Sequence, residues 1–170
     1  MNDLFTYFEK LELVAFFSGF PLLYLIAQYS LQVFNKTAIN GLKAIVDKLP
    51  KAYALTSLLY VGMKINQSLP LTALNFNFLS AFLYYKCWAF LGLIFFHPYF
   101  SKKPFYSFFH SLVFIGLVIF DFISYYRQQI GIEVIHNEMR LYFLSLLLNL
   151  CTLTIILLYS FFANKISKNK

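Results

Sequence analysis

Uncharged residues in this chain gather into long blocks separated by charged ones. Glu12 and Lys36 bracket 23 uncharged residues, and Arg140 and Lys165 bracket 24. A helix needs about 20 apolar residues to cross the hydrocarbon core of a bilayer. These blocks predict membrane-spanning helices over 13–34 and 141–162. A third block, 104–126, is interrupted only by Asp121. Pro104 suits its first turn, where a missing N–H costs nothing.

The middle of the chain is more broken. Lys51 and Lys64 enclose 12 uncharged residues, and Lys64 and Lys86 enclose 21. The second stretch contains Asn66, Gln67, Pro70, Asn75 and Asn77. The pattern predicts a short, polar-ended span over 52–68, a turn at Pro70, and a span over 76–99 with Lys86 inside it. The expected fold class is therefore all-α, a polytopic helical membrane protein with five transmembrane helices in a single domain, 1–170. The alternative has four, with 52–75 as a re-entrant or surface segment. Between the first two spans, Ile39, Leu42, Ile45, Val46 and Leu49 recur at helical spacing, with Lys43, Asp47 and Lys48 on the other face. That predicts a short amphipathic helix on the inner membrane surface, ended by Pro50.

Charge supplies an orientation. With five spans, Lys36, Lys43, Lys48, Lys51, Lys102, Lys103, Lys165, Lys168 and Lys170 fall on one side, and Lys10, Arg127 and Arg140 on the other. Nine against three follows the positive-inside rule with the N-terminus outside and the C-terminus in the cytoplasm. Four spans would lose this bias. Asp3, Glu9, Glu12, Glu133 and Glu138 all fall on the outer side. The first apolar block lacks a basic leader and is too long for a signal-peptide core, so the first helix is expected to stay. The cell or inner membrane is the expected location.

Composition agrees with this class. The chain is 60% hydrophobic and 21% aromatic, with a mean hydropathy of +0.66. Only 12% of residues are charged, against about 25% in an average soluble domain. One core of this size could not hide that much apolar surface from water. The net charge of +7 comes largely from lysines in short inner clusters. It reads as membrane orientation, and no nucleic-acid partner is expected.

Ionisable residues inside spans are costly and by default suggest function. Three are expected there: Lys64, Lys86 and Asp121. At 1.5 Å per residue they lie about 18, 16 and 24 Å from the inner boundary. If their helices touch, Asp121 can pair with either lysine, and Asn149 can join the same polar cluster. The bland reading is that both lysines snorkel to the outer interface. His97 and His110 sit at similar depth on adjacent helices, which offers haem b or a metal two imidazoles. A tight hairpin leaves little room for a porphyrin, so no cofactor is the leading expectation. Glu133, His136 and Glu138 lie in an outer loop and lack the ligand count of a metal site. Their simpler roles are helix capping by Asn137 and a favourable charge from Glu138 near the helix start. Cys87 and Cys151 read as buried thiols. Nucleophile-elbow, zinc-protease, P-loop and dinucleotide motifs do not occur, and no catalytic residue is assigned.

The function expected first is that of a non-enzymatic accessory, assembly or structural subunit of a larger membrane complex. Its partners would be the lipid bilayer and either other membrane subunits or further copies of itself. Two alternatives stand beside it. One is a small transporter or proton-conducting component using Lys64, Lys86 and Asp121. The other is a b-type haem electron-transfer subunit using His97 and His110.

Overall fold

A computed structural model describes residues 2–33, 36–67, 83–127 and 131–168. Among them every regular element is a helix: α1 (Asn2–Phe17), α2 (Phe20–Val33), α3 (Lys36–Val46), α4 (Leu49–Gln67), α5 (Leu83–Leu91), a 3-10 stretch (Gly92–Phe96), α6 (Pro98–Ser101), α7 (Pro104–Tyr126) and α8 (Ile132–Lys168).

Three helical segments are long and apolar enough to cross a membrane: Tyr7–Val33, Pro104–Tyr126 and Ile132–Lys165. This is fewer than the five expected. The other two candidates fall short for different reasons. Helix α4 has the length, but Lys51, Thr56, Ser57, Lys64, Asn66 and Gln67 make it too polar. The 83–96 stretch is apolar but only half as long as the first span. The rest of the expected third span, with the turn at Pro70, lies outside the described residues.

Boundaries shift as well. The first membrane-length segment starts at Tyr7, six residues before the expected 13, so Glu9, Lys10 and Glu12 belong to it. Helix α7 matches 104–126. Helix α8 begins nine residues before 141 and takes in Asn137 and Glu138, which therefore neither cap it nor lie in a loop. Pro50 does not end α3. That helix stops at Val46, and Pro50 lies in the first turn of α4, where proline is tolerated.

The first segment is broken at Ser18–Gly19. Pro21 has no N–H to offer the carbonyl of Phe17, so the ladder cannot run through. The break is stabilised by α8. Gly19 N–H donates to Ser145 Oγ at 2.9 Å, and Asn149 Nδ2 donates to the carbonyl of Phe16 at 3.0 Å. A Cβ on Gly19 would collide with the backbone of Leu146. Absence of a side chain at Gly19 is what lets the two helices cross this closely.

The core is aromatic. Phe17 stacks on Phe114, with ring centroids 4.6 Å apart, and meets Tyr53 and Tyr60 edge-on. Tyr53 lies at the centre of this aromatic cluster. It is fully buried, and His110 provides a partner for its hydroxyl. Cys87 and Cys151 are exposed on the protein surface rather than buried.

Candidate functional site

At one end of the bundle the start of α1, the end of α4, the start of α5, the end of α7 and the start of α8 come together. Each brings a charge. Lys10 pairs with Asp121 and lies 2.6 Å from Glu138 Oε1. Lys64 pairs with Glu12, and Gln67 Nε2 donates to the other oxygen of Glu12 at 3.1 Å. Lys86 pairs with Glu9. Five helices are thus tied by ion pairs that all run through α1.

Helical spacing explains how α1 reaches so many partners. Lys10, Leu13, Val14 and Phe17 follow one another at three- and four-residue intervals, and all four are buried. Lys10 therefore lies on the core face of its helix. Its ammonium group lies between α7 and α8, where Asp121 and Glu138 flank it.

The two acids that flank Lys10 are the most enclosed members. Asp121 is 5% exposed and Glu138 is 0% exposed. Glu138 Oε2 has no hydrogen-bond partner among the described residues. One lysine faces two carboxylates here, whereas the Lys64 and Lys86 pairs each match one acid with one base. A cavity of about 440 Å³ opens beside this trio. Val113, Gly116, Leu117 and Phe120 form its apolar wall, and Lys10 and Asp121 form its polar end. It is half-open to the outside of the bundle.

The expected site residues are only partly united. Lys64, Lys86 and Asp121 share this end of the molecule, but neither of these two lysines is the partner of Asp121. Asn149 stands apart. It lies 11 residues along α8 from Glu138, about 16 Å at the helical rise. Its partners there are Phe16 O, Ser145 O and Thr56, whose hydroxyl also meets Thr152 at 3.1 Å. Asn149 is a packing residue at the α1–α4–α8 crossing.

His110 is enclosed by α4 and α5. Its Nε2 lies 2.9 Å from the carbonyl of Trp88, and Trp88 Nε1 donates to the carbonyl of His110 at 3.0 Å. The two rings stack with an interplanar angle of 9°. A carbonyl can only accept, so Nε2 carries a hydrogen. Nδ1 lies 2.8 Å from Tyr53 Oη, and a neutral ring accepts there. Both nitrogens are thus engaged, and an iron or metal at His110 would displace one of these bonds. His97 is exposed and accepts from Tyr99 N at 3.4 Å, capping α6. Among the described residues no three His, Cys, Asp or Glu side chains are grouped to hold a metal ion.

Sequence reasoning missed Glu9, Lys10, Glu12 and Glu138. The block pattern places Glu9, Lys10 and Glu12 outside the first span and Glu138 in an outer loop. A signal existed in the spacing of Lys10 with Leu13 and Phe17, which puts a lysine on an otherwise apolar face.

The chain matches no protein-family model, no curated protein and no solved structure.

Proposed function

We propose that this chain is a small membrane transporter or proton-conducting component whose working group is the buried ionic network around Lys10. The observation that carries this reading is the Lys10–Asp121–Glu138 trio. It holds one more acid than base, it is enclosed by protein, and a half-open cavity reaches two of its members. Charges that only hold helices together need no such access, and intramembrane ionisable groups commonly mark ion and proton paths. The break at Ser18–Gly19 supports the reading, since interrupted helices accompany transport sites in membrane proteins.

The finer topology belongs to the same proposal. The chain crosses the membrane five times, with the N-terminus outside and the C-terminus in the cytoplasm. Helix α4 serves as the second pass, because Thr56 and Ser57 are buried against the bundle and Lys64 pairs with Glu12. The third pass uses 83–96. Five of its residues are 3-10, at about 2.0 Å rise each, so this short stretch covers about 24 Å. The positive-inside bias gives the orientation, and the network then lies toward the outer face.

Proteoliposomes with an entrapped pH dye test the reading. Under an imposed potential the wild-type protein is expected to carry protons, and Asp121→Asn is expected to abolish the flux while still inserting. Wild-type flux equal to that of empty liposomes, or full flux in Asp121→Asn, would sink the proposal.

One observation favours a second reading, that of an accessory subunit. Beyond Leu157, α8 runs on with Leu158, Tyr159, Phe161 and Phe162 all exposed. These turns are available to another membrane protein. Affinity purification at native expression in mild detergent decides it: a stoichiometric membrane partner, lost in Phe161→Ala/Phe162→Ala, supports this role. A chain that purifies alone counts against it.

A further inference from the structure

The Lys10–Asp121–Glu138 trio has a charge balance that only one additional positive charge can close. Fully ionised, it carries one cation and two carboxylates. The side chain of Glu138 has no exposure to water, and its Oε2 has no donor among the described residues. A bare carboxylate oxygen in such surroundings is strongly disfavoured unless a proton or a cation neutralises it.

The groups that face Glu138 account for which. From α1 come Lys10, at 2.6 Å from Oε1, and Tyr7, which is close enough to interact electrostatically. From α7 comes Asp121, through its contact with the same lysine. The nearby Glu9–Lys86 and Glu12–Lys64 pairs are each balanced. A metal cation would need several oxygen ligands, and among the described residues no three His, Cys, Asp or Glu side chains are grouped to supply them. A proton needs none.

We infer that the trio is a single-proton binding site, with Glu138 as the carboxyl that carries the proton and Asp121 as the member open to the cavity. This deepens the function proposed above and rests on the same network. Lys10 connects the two acids. A proton passing from Asp121 to Lys10 as Lys10 releases one to Glu138 Oε1 leaves the ammonium group unchanged and moves one proton inward. The reverse sequence releases it to the cavity.

Infrared spectroscopy of the full chain in liposomes reads this directly, through the stretch of a protonated carboxyl and its shift in deuterated water. At neutral pH the wild type is expected to show one such band. Glu138→Gln removes it. Asp121→Asn also removes it, because the trio then balances with Glu138 ionised; this second variant keeps the test alive if Glu138→Gln does not fold. Lys10→Met strengthens the band, since two acids then share no cation. No band in the wild type, or a band that survives Glu138→Gln, overturns the inference. The band is measured without transport. A band with no proton flux would therefore remove the transport function and leave the proton site standing.

Discussion

Lys10 shows how much of this molecule depends on single polar side chains. It lies between two carboxylates at positions that water hardly reaches. Removing it leaves both acids facing each other, and breaking a buried pair in this way typically costs about 3–5 kcal/mol. Lys10→Met is therefore expected to lower the unfolding midpoint in detergent sharply, whereas Glu138→Gln, which removes the surplus acid, should leave it unchanged or raise it. Equal losses in the two variants would mean that packing, not charge, governs this site. Asn149 works differently. Asn149→Leu strands the carbonyl of Phe16 and removes one acceptor of Thr56, at about 1–3 kcal/mol, and is expected to leave the infrared band of the trio unchanged. Asn149, Lys64, Lys86 and Asp121 were visible in the sequence because each interrupts an apolar block. Glu9, Lys10, Glu12 and Glu138 were not, because a charge at the edge of a block looks the same whether it ends a span or lies inside a bundle.

Among elements, the broken first segment and α8 form the crossing on which the rest is arranged. Gly19 and Ser145 meet there, and Gly92 approaches Ser57 with the same economy of side chain. Glycines at these positions cannot be recognised by a repeat within one helix, since each pairs with a serine on another. Gly19→Ala puts a methyl group against the backbone of Leu146, where no flexible side chain can yield. A loss of about 1–3 kcal/mol or more is expected from such overpacking. Gly62 on α4 has open space around its Cα, so Gly62→Ala is expected to be neutral or to stabilise by up to about 1 kcal/mol. Comparable destabilisation by both would show that the crossing is looser than its geometry. The amphipathic α3 was legible from its spacing. Its end was not, because Pro50 can stop one helix or begin the next, and here it begins α4.

For the molecule as a whole, the all-helical class followed from block length and hydropathy, and three membrane-length segments bear that out. The number of passes is harder: the proposal of five depends on Thr56 and Ser57 of α4 being buried against the bundle and on the reach that a 3-10 stretch adds to residues 83–96. Neither device registers in a count of apolar residues. Topology can be tested in a Cys87→Ser/Cys151→Ser background, which removes two exposed thiols. Single cysteines at Lys102 and Arg127, at opposite ends of α7, are expected to react with an impermeant reagent from opposite sides. Labelling of both from one side would rule out the crossing of α7 and the five-pass topology with it.

The ion pairs of α1 also set an order for biogenesis. Glu9, Lys10 and Glu12 are synthesised before their partners Lys64, Lys86, Asp121 and Glu138, which belong to later helices. Until those arrive, these three charges lack the counterparts they have in the folded chain, and in the proposed membrane topology the charged turns of α1 are held at the headgroups. Lys10 meets both its acids only after α8 has emerged. Helix α1 is thus made before its partners but seated after them, and the charged end closes only once α8 has joined.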